Sequence, residues 1–277
     1  LGDWEPDHWL TRRGARKPAD QPPALRPVED SRPEGFLHAT GIVVDFGGFR
    51  ALDGASLTAS SDEVVGLIGP NGAGKTTLLN AITSLVTSSA GSIRLDEHVL
   101  DGLPSHLIAR AGIVRTFQNL RLFPALSVEE NIEVARLATA GHIAGRSLPD
   151  VELLVRASGL AELRHRRAGE LDYGNARRLE LARAAAAGPR FLLLDEPTSG
   201  MGDLESEQMI HRIREIAGLV QAGVIVVDHD LNFITGICDR VYVLDQGKVI
   251  AVGTPDEVSQ DPVVQAAYLG GPIGSTT

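Results

Sequence analysis

From residue 36 onward the chain alternates short apolar runs with stretches of helical period. Val64, Val65, Leu67 and Ile68 form one such run, and Leu78, Leu79, Ile82 and Leu85 behind it recur at the spacing of one helix face. Phe191-Leu192-Leu193-Leu194 and Val224-Ile225-Val226-Val227 are apolar without alternation, the composition of a strand buried on both faces of a parallel sheet. A helix over Asp203–Val220 is expected between them. Gly112 to Arg115 predicts another buried strand, Pro104 to Arg110 a short helix, and Gly91 to Leu95 a further strand. Leu37 to Val44 and Leu52 to Ala59 read as strands flanking Asp45-Phe46-Gly47-Gly48-Phe49-Arg50, whose paired glycines suit a hairpin turn. Val241 to Leu244 and Lys248 to Val252, joined through Gln246-Gly247, predict a closing hairpin, and residues 255–269 a terminal helical piece. Ser127-Val128-Glu129-Glu130 has the spacing of a capping box and opens a helix toward Thr139. Pro149 to Ala187 carries no strand run; its helical pattern breaks only at Gly169 to Gly174 and restarts at Asn175. Strands alternating with helices, a β-rich entry and an all-α insertion over roughly 119–187 together make an α/β chain.

Composition narrows the partners. At 277 residues and 43% hydrophobic content the chain can bury one large core or two small ones. Its net charge of -10 argues against non-specific nucleic-acid binding, which needs a basic face. The single cysteine, Cys238, has no intrachain partner and reads as a core side chain. No charged-then-apolar segment opens the chain, so a cytoplasmic location is expected. No apolar run approaches the ~20 residues of a spanning helix, so any work at a membrane is done by docking at its inner face. Residues 1–35 hold six of the fifteen prolines and read as a tail or linker, with Trp4, Trp9 and Leu10 either an anchoring contact or a chance cluster. Residues 271–277 read as a second tail. The Leu1 start is compatible with a trimmed product or with a piece of a longer polypeptide, including one with an upstream permease domain. The chain shows no internal repeat.

The candidate chemistry sits at the ends of the apolar runs. Gly69-Pro70-Asn71-Gly72-Ala73-Gly74-Lys75-Thr76-Thr77 lies between a strand and a helix, where glycines let backbone N–H groups turn inward and the helix adds its positive end. A polyphosphate fits such a loop. Lys75 would neutralise it, and the Thr76 hydroxyl would ligate a bridging magnesium ion. Asp195 and Glu196 end a strand of the same expected sheet, and ligands bind at the carboxyl ends of such strands. Asp195 would help hold the magnesium and Glu196 would orient or deprotonate the attacking water, or the two acids simply cap the next helix. Gln118, directly after a strand, either reaches the metal or is a surface glutamine. His229 follows another strand of that sheet and could hydrogen-bond the terminal phosphate or the water. Phe46 either stacks on a purine or packs in a core. The break before Asn175 is either a second anion site at a helix N-terminus or a plain turn.

Together these motifs resemble the nucleotide-binding subunit of an ABC transporter, over about Phe36 to Gly270. In that resemblance Gly69–Thr76 is Walker A, Gln118 the Q-loop glutamine, Leu171 to Asn175 the signature, Phe191 to Asp195 Walker B followed by Glu196, His229 the switch histidine, and Phe46 the aromatic that stacks on adenine. Arg-Thr-Phe-Gln-Asn-Leu-Arg-Leu-Phe after Val114, the run from Tyr173 to Arg183, and the ending Gly253-Thr254-Pro255-Asp256-Glu257-Val258 with Ala267-Tyr268-Leu269-Gly270 resemble the ATPases of branched-chain amino-acid importers.

The resemblance implies a P-loop NTPase fold, with a RecA-like core, an antiparallel β portion and an inserted α-helical subdomain. It also implies ATP and magnesium as ligands and permease subunits as partners. Its mechanism is a head-to-tail dimer in which each ATP lies between one subunit's Walker A and the other's signature turn, so that Asp172, Tyr173 and Gly174 face the partner's nucleotide. Two positions depart from the family pattern: Asp172 stands where a serine is usual, and Gly202 where an aspartate or asparagine is usual. A carboxylate at 172 would repel the terminal phosphate, so pairing with a different ATPase, whose own signature is intact, is expected. A soluble ABC protein acting on ribosomes or DNA, and an exporter ATPase, are the competing readings. The first lacks the expected tandem units or coiled coil.

Overall fold

The computed structural model describes residues 35–117, 119–139 and 148–269. The two expected tails, apart from Gly35, and Gln118 lie outside the described residues. An antiparallel sheet opens the chain: β1 (Phe36–Phe46) and β2 (Phe49–Ser60) form a long hairpin, joined on the β1 side by β4 (Ala90–Leu95) and then by β5 (His98–Val99) in the order β2-β1-β4-β5. Gly47 and Gly48 turn that hairpin at φ 53° and 96°, a conformation that suits the right-handed twist of the paired strands. The second sheet is built from β3 (Val64–Ile68), β6 (Ile113–Arg115), β7 (Phe191–Asp195), β8 (Gly223–Val227), β9 (Arg240–Asp245) and β10 (Lys248–Gly253), in the order β10-β9-β3-β8-β7-β6. All its pairings are parallel except the closing β9-β10 hairpin.

Both faces of the parallel sheet are covered, which explains why its strands lack polar alternation. Phe191, Leu193, Ile225 and Val227 enter one core, shared with the antiparallel sheet and with α1 (Lys75–Ile82). Leu192, Leu194, Val224 and Val226 enter a second core on the opposite face, shared with α5 (Tyr173–Ala186), α6 (Asp203–Val220) and α7 (Leu231–Ile237). Successive residues of one strand serve the two cores in turn. Cys238 is buried on the second side, and that burial pushes its thiol up to about 12.

The expected all-α insertion contains α3 (Val128–Thr139), α4 (Val151–Ala157) and α5. Its first helix starts with the anticipated box: the Ser127 N–H donates to Glu130 Oε2 at 2.8 Å, and the Glu130 N–H to Ser127 Oγ at 3.2 Å. Arg164 bridges Glu129 of α3 and Glu152 of α4. Fully buried Asn131 satisfies itself on the preceding loop: its Nδ2 donates to the carbonyls of Phe123, Leu126 and Ser127, and its Oδ1 accepts from the Phe123 N–H.

Several boundaries differ from the sequence expectation: α1 closes at Ile82, so Leu85 lies beyond it and is exposed, and β2 begins at Phe49 rather than Leu52. α5 starts at Tyr173 rather than Asn175, because the Asp172 carboxylate accepts the Asn175 N–H at 2.8 Å and moves the cap upstream. The terminal helical piece is two helices, α8 (Pro255–Gln260) and α9 (Pro262–Leu269), since Asp261 precedes a proline and is extended at φ -70°, ψ 120°. The two-residue β5 is too short to carry a period. The remaining helix, α2 (Ser105–Arg110), falls where it is expected.

Leu193 is fully buried in the middle of β7. Leu193→Ala is expected to lower unfolding free energy by about 2–5 kcal/mol, read from the urea midpoint at unchanged slope.

Candidate functional site: a phosphate loop at the strand ends

β3 delivers the chain into the glycine loop, which needs its glycines for two separate reasons. Gly69, Gly72 and Gly74 all have positive φ, at 145°, 83° and 106°. At two of them space is also short: a Cβ on Gly69 would lie 1.9 Å from the Leu244 carbonyl oxygen, and one on Gly74 2.7 Å from that of Ala51. A Cβ on Gly72 would meet nothing within 4 Å beyond its chain neighbours among the described residues, so at this position only the backbone conformation asks for glycine. Buried Ala73 donates its N–H to the Pro70 carbonyl and accepts from the Gly247 N–H, which ties the loop to the β9-β10 turn. Asn71 and Thr76 are exposed and Thr77 is half-buried. Gly74 caps α1 without a side chain and no acid stands in the first turn, so α1 itself supplies no anion to its first N–H groups. Such a terminus can receive a phosphate.

Lys75 lies over the loop, its Nζ donating to the carbonyls of Gly69 at 2.6 Å and Pro70 at 2.9 Å. Burial pulls its ammonium below the ordinary lysine range, and the negative fields of Glu196 and Asp195 oppose that pull. The cation from the loop and the two acids from β7 therefore share one electrostatic site.

The acids are held with unequal freedom. Asp195 ends β7 almost buried, with Oδ2 taking a 2.7 Å bond from Arg115 Nη2. Glu196 follows with a left-handed backbone, φ 49°, and its N–H donates to the Val227 carbonyl at 2.7 Å. A non-glycine residue in that region is strained. At the end of β8, Asp228 is 1% exposed and gathers four donors. Thr198 gives it Oγ1 at 2.6 Å and N–H at 3.2 Å, and the N–H groups of His229 and Asp230 give 2.8 and 3.1 Å. This knot fixes the turn that carries exposed His229 to the segment that follows Glu196. Asp230 then caps α7.

Phe46 ends β1 half exposed, paired across the turn with Phe49. The same hairpin's Ala51 carbonyl borders Gly74, so the ring stands on the element that walls the phosphate loop. Asp172, Tyr173 and Gly174 lie on the helical subdomain, and none of their hydrogen bonds reaches the phosphate loop. The Asp172 carboxylate is engaged twice by Asn175, through its N–H and through Nδ2, each at 2.8 Å. Tyr173 Oη accepts from the Arg177 guanidinium, and its ring packs against Gly200.

Arg177 itself was not singled out by its residue type, because arginine in a basic helical run reads as solvated. It is 3% exposed, pairs with Glu180 at 3.0 Å, and donates to the Phe117 carbonyl. Glu180 accepts the Phe117 N–H at 3.4 Å, and its burial raises its carboxyl above the usual range against the pull of Arg177. Both backbone groups of the residue before Gln118 are thus held by α5. Arg115 and the Asp228–Thr198 knot were equally silent in the sequence, since their partners are 80 and 30 residues away.

A glycine loop at the end of β3, acids at the end of β7 and an all-α insertion define a P-loop nucleoside-triphosphate-binding protein. The chain belongs to the ABC transporter family: the family model described as "ABC transporter" matches residues 52–199. A second model, described as "Branched-chain amino acid ATP-binding cassette transporter", matches residues 248–273. The high-affinity branched-chain amino acid transport ATP-binding protein LivG of Salmonella typhimurium is 40% identical over 253 residues, covering 85% of this chain and 98% of LivG. The lipopolysaccharide export system ATP-binding protein LptB of Escherichia coli is 37% identical over 238 residues, covering 84% and 97%. Among solved structures, the ADP conformation of MJ1267, an ATP-binding cassette of an ABC transporter, superposes with a TM-score of 0.74 at 28% identity, covering 85% of this chain and 99% of that one. The chain is thus an ATP-hydrolysing cassette that powers transport, and the expected fold and family both hold. Among the described residues no helix is long and apolar enough to cross a membrane.

Asp228→Ala leaves four donors short of their acceptor. It is expected to destabilise the chain by about 3 kcal/mol in urea unfolding, and ATPase activity should fall at temperatures where the variant is still folded.

Proposed function

We propose that this chain is the ATPase subunit of an importer for branched-chain or related amino acids, acting as half of a nucleotide-sandwich dimer docked on permease subunits. The observation that carries the choice of import is the C-terminal match, which takes in the edge strand β10 and the helices α8 and α9. LivG, with its printed role in branched-chain amino acid transport, supports the same reading. The likeness to LptB keeps export as the outcome that would displace it.

In this reading the loop Gly69 to Thr77 offers backbone N–H groups to the phosphates, and Lys75 leaves its two carbonyl acceptors to neutralise them. Thr76 and Asp195, with Gln118, would hold magnesium; hydroxyl, carboxylate and amide oxygens are the hard donors such an ion takes, and the ion would supply charge neutralisation at the phosphates. Glu196 orients the attacking water and accepts its proton, and His229 senses the terminal phosphate. Phe46 supplies an aromatic face to the adenine.

Asp172, Tyr173 and Gly174 would meet the nucleotide of the partner subunit. Asp172 already serves as the cap of its own helix and keeps a negative charge at the helix end, where a phosphate would otherwise bind. That supports a heterodimer, in which the partner supplies the stronger signature turn to the site built on Lys75.

Glu196→Gln is expected to keep ATP binding, to lower turnover by about 10²–10⁴-fold, and to accumulate an ATP-bound dimer on size exclusion. Reconstitution with the cognate permease then reads the direction: ATP-driven amino-acid uptake supports the proposal, and outward movement of solute or lipid overturns it.

A further inference from the structure

Arg115 closes β6 with its side chain 4% exposed, beside a phosphate site whose chemistry calls for one cation on the loop and one metal ion. Its guanidinium joins three elements. Nη2 donates to Asp195 Oδ2 of β7 at 2.7 Å, Nη1 donates to Asn80 Oδ1 of α1 at 2.6 Å, and the group lies 5.6 Å from the Phe117 ring, one residue before Gln118. Nε is buried with no hydrogen-bond partner among the described residues. A buried ion pair seldom adds to stability over a well-packed apolar side chain, and an orphaned buried donor subtracts from it. Stability alone therefore gives no reason for an arginine at this place.

We propose that Arg115 is a positioning residue for the metal: its bond to Oδ2 fixes the Asp195 carboxylate against the helix of the phosphate loop, so that Oδ1 is the oxygen presented to the metal or its bound water. Asn80 is the brace, since it sets the plane of the guanidinium from α1, five residues beyond Lys75. The carboxylate and the phosphate loop are thereby registered to each other through one planar group, which a lysine's single ammonium cannot reproduce. The inference rests on the assignment of Asp195 to the metal.

The test is equilibrium binding of a fluorescent ATP analogue to the full chain with and without Mg2+, on the Glu196→Gln background so that no hydrolysis intervenes. The quantity read is the gain in affinity that Mg2+ brings. Removing a group that orients a metal ligand lowers metal affinity by about 10–100-fold, so Arg115→Met should cut the gain about tenfold while Mg2+-free binding stays within about twofold. Arg115→Lys should recover part of the gain, and Asn80→Ala, which leaves the ion pair in place, should give a loss of about threefold. If Arg115→Met does not fold, Asn80→Ala and Arg115→Lys carry the test. An unchanged gain in the folded variants overturns the proposal, as does an increased one, which would make Arg115 a rival cation. Should the Glu196→Gln parent show no gain, or Asp195→Asn keep it, the assignment of Asp195 falls and this inference with it.

Discussion

The site depends on the close approach of two backbones at Gly69, where no side chain fits between the phosphate loop and the Leu244 carbonyl. That contact seats the loop at the carboxyl edge of the parallel sheet, next to the turn of the last hairpin. From this seat Lys75 is buried enough to lose part of its affinity for a proton, yet near enough to Asp195 and Glu196 to retain part of it. A cation held in such balance gains from the arrival of further negative charge, which is what a polyphosphate provides.

Around this point the chain adds buried polar groups as fasteners between elements that already share an apolar core. Arg115 ties the helix of the phosphate loop to the end of β7, and Asp228 ties the end of β8 to the turn after Glu196. Arg177 and Glu180 tie α5 to both backbone groups of Phe117. Each bond sits where one functional segment must keep register with another. Apolar packing tolerates small slips between surfaces, whereas a planar ion pair with fixed donors does not. Phe117 and the turn before Arg177 are in this way parts of one connected network.

How much of this was legible beforehand follows from the range of the forces involved. The strands β3, β7 and β8 and the helix α6 were readable because their patterns are local and repeated over several residues. The glycine loop was readable because its conformational demand falls on each glycine separately. The start of α5 was misplaced by two residues because Gly174 prolongs the apparent break in the helical pattern, whereas the bond from the Asn175 N–H to Asp172 sets the cap before it. The terminal helix divided because one proline fixed the residue before it.

The sequence by itself determined the alternation of strands and helices, the phosphate loop, the acids at the strand ends and the family to which they point, since each is written in neighbouring residues. Only the tertiary structure decided which charges were paired. Arg115 and Asp195 are 80 residues apart in the chain, and nothing in either one's local context foretells the other. Parallel pairing of β6 with β7 brings them to one sheet edge, and burial then leaves two opposite charges no better partner than each other.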